Sequence, residues 1–337
     1  MKAVGYKEQG EITRPDALVD IEIDQPVARG KDILVEVKAI SVNPVDTKVR
    51  KRAAAEAGQW KILGWDAAGV VVSVGDEVTE FKVGDEVWYA GDLTRPGSNA
   101  QFQLVDARIV GHKPKRLSFA EAAAMPLTTI TAWEMLFDRL KIEDPVPGGD
   151  RSILIIGGAG GVGSITIQLL KAKSDLKVIA TASRAETQAW VKQLGADYVI
   201  DHSKPLKAQM DELGLKAPSY VFSTNYTDQY MEQIAALTAP QGRLGLIDDP
   251  AELSISPLKT KSISLHWEFM YTRSMYQTED IAQQRELLNA VAKLVDDGVI
   301  QTTLTEVYGK INAENLKEVH SLIEGGKAKG KIVLEGF

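Results

Sequence analysis

The spacing of apolar positions changes its period along the chain, and the change divides it. Ile33, Val35, Val37 and Ala39 alternate with more polar neighbours, the two-residue period of a half-buried strand. Gly69 to Val74, closed by Gly75-Asp76, and Phe81 to Trp88 repeat a strand–Gly-Asp–strand rhythm. Gln101 to Val105 and Ile109-Val110 follow, so the first 120 or so residues read as a compact β-barrel. From Ser118 the period lengthens. Ser118 with Glu121 three residues on predicts a capped short helix, and Ile130, Trp133, Leu136, Phe137 and Leu140 recur at helical spacing. The breaker cluster Asp144 to Asp150 ends that stretch.

A continuous apolar run, Ile153-Leu154-Ile155-Ile156, comes next and predicts a strand buried on both faces. Lys177 to Ala182, Tyr198-Val199-Ile200, Tyr220-Val221-Phe222 and Arg243 to Ile247 are further short strands, and helical patterns separate them. That alternation predicts a doubly wound parallel sheet with crossover helices. Around Ser262 to Trp267 the pattern is strand-like, a long helix is predicted from Glu279 to Asp297, and Lys331 to Leu334 closes the chain as a strand. The α/β domain, residues 126–266, is therefore expected as an insertion in a β-rich domain of residues 1–125 and 267–337.

The first strand of the inserted domain runs into Gly157-Gly158-Ala159-Gly160-Gly161-Val162-Gly163, with a helical pattern from Ser164. Gly158-x-Gly160-x-x-Gly163 between a strand and a helix has a mechanism. One glycine makes the turn, one lets the backbone approach a pyrophosphate, and one lets helix and strand pack closely. The helix N-terminus offers N–H groups and a positive dipole end to the phosphates. Gly158, Ala159, Gly160, Gly161, Val162 and Gly163 are thus predicted cofactor contacts. A site for NAD places an acid about 20 residues later on the ribose 2′-hydroxyl. Here Ser183 and Arg184 stand at the end of the strand Lys177 to Ala182, and from that strand on no carboxylate comes until Glu186. A hydroxyl and a guanidinium suit a 2′-phosphate, so NADPH is the expected cofactor. Ser223, Thr224 and Ile247, at the carboxyl ends of predicted strands, are expected to line the ligand crevice.

Composition narrows the partners. The 337 residues carry a net charge of −7 and contain no cysteine. The charge argues against nucleic-acid or membrane-surface binding, and the absence of thiols removes disulfides and thiolate metal sites. No apolar run reaches the length of a membrane span, and the N-terminus reads as a strand rather than a secretory leader. A cytoplasmic protein acting on a small molecule is the expectation.

Several motifs in this order resemble the medium-chain dehydrogenase/reductase superfamily, and more closely its zinc-free quinone oxidoreductase branch. They are Val42-Asn43-Pro44-Val45-Asp46, Gly64-Trp65-Asp66-Ala67-Ala68-Gly69, Pro126 to Trp133 and Gly330 to Leu334. The stretch Trp267 to Met275 further resembles a subgroup labelled zinc-type alcohol dehydrogenase-like. The resemblance implies a GroES-like catalytic barrel carrying an inserted Rossmann domain, and a dimer or tetramer built by extending the nucleotide-domain sheet, with Arg243 to Ile247 and the strand near Ser264 as candidate edges. It also implies that Asn43 and Asp46 shape the nicotinamide end and polarise the acceptor, although Asn-Pro reads equally well as a turn. Thr131 is implied at the nicotinamide ribose and Tyr198 near the adenosine phosphate.

Where zinc enzymes of the superfamily carry Gly-His-Glu, this chain has Gly64-Trp65-Asp66. An indole cannot ligate a metal, and His112, His202, His266 and His320 lack ligand spacing, so a zinc-free protein is expected. Hydride transfer from NADPH to a quinone or an α,β-unsaturated carbonyl follows as the expected reaction. Trp65, Trp267 and Phe269 are candidate walls of an apolar acceptor pocket, or ordinary core aromatics. Tyr89 is a faint candidate acid. Lys327, Lys329 and Lys331 read as a solvated basic cluster. An enoyl-thioester reductase, a zinc-dependent alcohol dehydrogenase and a NADPH-binding sensor or structural protein with little turnover remain as alternatives.

Overall fold

A computed structural model describes all 337 residues, which form two compact units. One comprises Met1–Ile130 with Tyr271–Phe337, the other Thr131–Met270. No helix is long and apolar enough to cross a membrane.

The first unit is built on a mostly antiparallel seven-stranded sheet. Its order is Leu304–Gly309, Lys331–Glu335, Asp32–Ser41, Ala67–Val74, Glu86–Tyr89 and Val110–His112, with Phe102–Asp106 also paired to Asp32–Ser41. Lys2–Tyr6 pairs with Val19–Glu22 and Lys61–Ile62 in a smaller sheet. Ile33, Val35 and Ala39 are fully buried, and so is Ile40 on the other phase, so the central strand is covered more completely than alternation alone predicts. The chain-closing strand runs antiparallel to it with Val333 opposite Ser41. Continued two residues, that register brings Lys331 to Asn43. Ser118 caps its helix as expected, its hydroxyl accepting from the Glu121 N–H at 3.2 Å while the Glu121 carboxylate accepts the Ser118 N–H at 2.8 Å.

The second unit is a six-stranded, wholly parallel sheet. Its order is Tyr198–Ile200, Lys177–Thr181, Asp150–Ile156, Pro218–Ser223, Arg243–Leu246 and Ser264–Trp267. The order reverses at the strand that feeds the glycine turn, the position at which open α/β sheets bind ligands. Ile153, Leu154, Ile155 and Ile156 are all buried, as a continuous apolar run beneath two helical layers requires. Two boundary expectations need correcting. Arg243–Leu246 is flanked on both sides by strands, so it is no sheet edge; Ser264–Trp267 is. The helix expected from Glu279 spans Gln283–Asp296, because Asp280 instead accepts from Arg273 and Thr278 and belongs to a turn.

The helical stretch after Pro126 changes pitch. Pro126–Trp133 is α-helical and Glu134–Arg139 is a π-helical turn. It turns Glu134 into the same buried volume as Glu268, which follows the edge strand Ser264–Trp267; neither carboxylate side chain is exposed. Arg139 donates to Glu268 at 2.8 Å and lies 4.0 Å from Glu134. One guanidinium cannot neutralise two buried carboxylates, and burial, reinforced by Glu134, pushes Glu268 up to about 9. The folded chain therefore holds a proton that the unfolded chain releases near the ordinary glutamate value of about 4.3. Stability is accordingly highest below that value and falls as pH rises towards 9. Glu268→Gln fixes the neutral form. Its urea midpoint should gain on the wild type progressively from about pH 5 to pH 9; an offset that does not change with pH would contradict the shared proton.

Candidate functional site

Two groups of residues carry chemistry, one in each unit. In the parallel-sheet unit the glycine turn follows the strand Asp150–Ile156. Gly157 has a φ of +84°, which a side chain would disfavour, and its N–H donates to the Thr181 hydroxyl at 3.0 Å. Gly158 N–H donates to the Thr181 carbonyl at 3.1 Å, so the turn is sewn to the next strand. A Cβ on Gly163 would lie 2.4 Å from the Gly157 carbonyl oxygen, so only glycine lets the helix start this close to the turn. A Cβ on Gly160 would meet nothing within 4 Å except that same carbonyl, at 3.6 Å; the space in front of it is open. Gly160 begins the helix Gly161–Lys173 without any side-chain cap. Open space before uncapped N–H groups at the positive end of a 13-residue helix is a cradle that a pyrophosphate fits. Gly158, Ala159, Gly160, Gly161, Val162 and Gly163 are the residues that could hold it.

The other predicted residues of this unit lie at strand ends or on helices. Ser183 and Arg184 follow the strand Lys177–Thr181, and Arg184 begins the helix Ala185–Gln193, its N–H bonded to Thr187. Its guanidinium, 3.5 Å from Glu186, is 41% exposed, a solvent-screened ion pair that a phosphate can outcompete. Thr224 donates its hydroxyl to the Ile156 carbonyl at 2.9 Å and packs onto Gly157. Ile247 is half-buried beyond Arg243–Leu246, Thr131 is buried on its helix, and Tyr198 is half-buried against the core. Ser223, opposite Ile156 in the sheet, is fully buried, and its hydroxyl is bonded at 2.8 Å to that of Thr227, which donates onward to Asp248 at 2.6 Å.

His202 is the residue that sequence reasoning missed. Its Nδ1 lies 3.2 Å from the Thr181 hydroxyl that also holds the Gly157 N–H, and Tyr230 donates to its carbonyl at 3.2 Å. Burial lowers its pKa; Asp201 opposes that shift and Arg184 adds to it. The available signal was its place two residues beyond the strand Tyr198–Ile200, at the same sheet end as Arg184.

In the barrel unit, Asn43 and Asp46 open the helix Pro44–Arg52, and the turn reading and the site reading prove to be one arrangement. Asp46 accepts the Asn43 N–H at 2.7 Å. The Asn43 amide donates to Asp66 at 2.8 Å and accepts from Lys331. Asp66 accepts further bonds from Lys331 at 3.0 Å and from the Leu127 N–H at 2.8 Å. All four side chains are essentially buried. The expectation of a solvated Lys331 is thus overturned: the sheet register that sets it opposite Asn43 takes it out of water. Burial pushes Asp46 up to about 7 and raises Asp66, with Lys331 pulling both the other way.

The candidate pocket walls separate. Trp65 is core in the barrel unit, its indole N–H donating to the Asp92 carbonyl at 3.2 Å and its ring edge-on to Tyr271. Trp267 and Phe269 are half-exposed in the other unit. Tyr89 is buried with its hydroxyl donating to Gln103 at 2.9 Å, a poor donor for an acceptor molecule.

The chain matches the family model for the alcohol dehydrogenase GroES-like domain over residues 29–133 and that for zinc-binding dehydrogenases over residues 161–286. A zinc-type alcohol dehydrogenase-like protein of Staphylococcus aureus is 40% identical over 336 residues, 99% of both chains. The crystal structure of a putative zinc-dependent alcohol dehydrogenase protein from Rhizobium etli superposes with a TM-score of 0.98 at 58% identity, covering 100% of this chain and 98% of that one. The Escherichia coli quinone oxidoreductase solved with NADPH shares the fold at a TM-score of 0.82 and 22% identity, covering 99% of this chain and 100% of that one. The zinc in these names does not fit the residues present. No group of three or more His, Cys, Asp or Glu side chains is placed to hold a metal ion, the chain has no thiol, and Asp66 is occupied by Lys331, Asn43 and Leu127.

Removing one partner of the Lys331–Asp66 pair leaves a buried charge uncompensated. Lys331→Met should cost about 3–5 kcal/mol in chemical denaturation, and the double variant with Asp66→Asn distinctly less than the sum of the singles. Additive losses would show that the two charges do not depend on each other.

Proposed function

Since the chain belongs to the medium-chain dehydrogenase/reductase superfamily, in its zinc-type alcohol dehydrogenase-like group, it is an oxidoreductase using a nicotinamide cofactor, and we propose that it passes a hydride from NADPH to a quinone or an α,β-unsaturated carbonyl without a metal. The observation that carries this reading is the donor set of the barrel unit. Trp65 and a saturated Asp66 leave nothing to hold a Lewis acid, so an alkoxide would go unstabilised. The acceptor must then delocalise the incoming charge itself, as quinones and enones do.

Bound NADPH supplies the hydride. The amides from Gly160 to Gly163 bind its pyrophosphate, and Ser183 and Arg184, with His202 beside them, read the 2′-phosphate. Thr131, Thr224 and Ile247 line the nicotinamide half. Asn43 and Asp46, fixed by Lys331 and Asp66, act by position: their side chains are buried and bonded to one another's network, which holds the helix Pro44–Arg52 rigidly. After hydride transfer, reduction of a quinone to its hydroquinone, or of an enone to the saturated carbonyl, takes one proton, and solvent is its source.

Steady-state oxidation of NADPH and NADH should be compared with a benzoquinone, a naphthoquinone and a simple enone after EDTA treatment. EDTA-resistant turnover with strong preference for NADPH is expected, and Arg184→Ala should raise the KM for NADPH about tenfold or more while leaving that for NADH nearly unchanged. Turnover lost to EDTA, or an equal effect of the substitution on both cofactors, would overturn the reading. Clear NADPH binding with no turnover on any acceptor would favour the sensing alternative.

A further inference from the structure

The helix Pro44–Arg52 turns a polar face to the interior. Its buried residues are Asp46, Thr47 and Arg50, and Asn43 is buried just ahead of them. These fall at i, i+3, i+4 and i+7, the stripe that a helix packed on a core usually fills with apolar side chains. Val45 and Val49 are only half-buried. Hydrophobic burial is non-directional and has little surface to act on here, so directional bonds set how far this helix is turned and how high it sits. Its first turn is held by Asp66 and Lys331 through Asn43. Its last turn is held by Arg50, whose fully buried guanidinium donates to the Gly10 carbonyl at 2.8 Å, to His320 Nδ1 at 3.4 Å and to Glu324. The Gly10 N–H returns a bond to the Arg50 carbonyl at 3.1 Å, and the Tyr6 hydroxyl donates to the Ala53 carbonyl at 2.8 Å. Glu324 also meets Lys51 at 3.2 Å.

Asn43 to Arg50 and Glu324 to Lys331 are intervals of equal length. One short stretch near the C-terminus therefore grips both ends of the helix, Glu324 at Arg50 and Lys331 at Asn43. A slip of one residue would move the helix about 1.5 Å and turn it about 100°, breaking both grips. As a source of stability the Arg50 cluster is poor. Apolar side chains of similar volume commonly replace a buried ion pair without loss. Burial, with Arg50 beside it, pushes His320 down to about 3, so it is a neutral acceptor. The tautomer that accepts at Nδ1 carries its proton on Nε2, which has no partner and adds a further cost. We propose that Arg50 is a positioning residue: with Lys331 it fixes the rotation and height of the helix Pro44–Arg52, and through them the placement of Asn43 and Asp46. The inference rests on the reading under which those two residues act by position in hydride transfer.

Positioning and plain packing come apart when the cluster is made apolar in the triple variant Arg50→Met/His320→Leu/Glu324→Leu. We expect a urea midpoint at or above that of the wild type and an unchanged Kd for NADPH, with kcat for a benzoquinone lower by about tenfold or more. Arg50→Lys keeps the charge but cannot reach three partners from one fork. It should fold and lose kcat in the same direction, and it reads the effect should the triple variant not fold. Glu324→Gln keeps an acceptor for the guanidinium and should stay within about twofold of the wild-type kcat. A wild-type kcat in the folded triple variant or in Arg50→Lys overturns the proposal. So does a loss of kcat matched by an equal weakening of NADPH binding, which marks general damage rather than misplacement. Absence of turnover by the wild type with every acceptor would instead sink the hydride-transfer reading itself.

Discussion

Gly157 and Gly163 lie so close that a single added carbon on Gly163 would sit 2.4 Å from the Gly157 carbonyl oxygen. That approach is the constraint on which the nucleotide unit depends. It sets the start of the helix Gly161–Lys173 directly on the turn, leaves its first N–H groups without a side-chain cap, and keeps the space before Gly160 open. The bonds from Gly157 and Gly158 to Thr181, and from Thr224 to Ile156, then fix the neighbouring strand ends to the same point. The elements that would read the two halves of a dinucleotide are positioned by backbone and small hydroxyls, with charge added only at Arg184.

The barrel unit solves a different problem. Three charged groups, Asp46, Asp66 and Lys331, are buried beside Asn43, and burial alone is costly for each. They are tolerated because every one has partners: the Asn43 amide bridges Lys331 to Asp66, and backbone N–H groups of Asn43 and Leu127 complete the carboxylates. The network ties the first strand–helix junction of the chain to its last strand. It also engages the Asp66 carboxylate fully, so that this group is not free to ligate a metal ion.

Much of this was legible in the sequence because it is local. Period-two and period-3.6 patterns, the Gly158-x-Gly160-x-x-Gly163 spacing, the capping pair Ser118–Glu121 and the missing acid near Ser183 each depend on neighbours in the chain. What was not legible depends on partners far apart. The burial of Lys331 follows from a sheet register linking it to Asn43, 288 residues away; nothing in Lys327 to Lys331 distinguishes it from its solvated neighbours. The π-helical turn that brings Glu134 to Glu268 keeps the apolar spacing of an ordinary helix. Arg243–Leu246 is recognisable as a strand but not as an enclosed one, since strand order decides what is an edge and what is flanked on both sides. His202 was passed over because a lone histidine carries no spacing signal.

The central claim is that a 2′-phosphate, not a metal ion, is the charge this chain is built to receive. Calorimetric titration of metal-analysed protein with NADPH and with NADH tests it most directly. Less than a tenth of an equivalent of zinc is expected, with a Kd for NADPH at least about tenfold below that for NADH, as charge-assisted bonds to one extra phosphate require. Stoichiometric zinc, or equal affinity for the two cofactors, would contradict it.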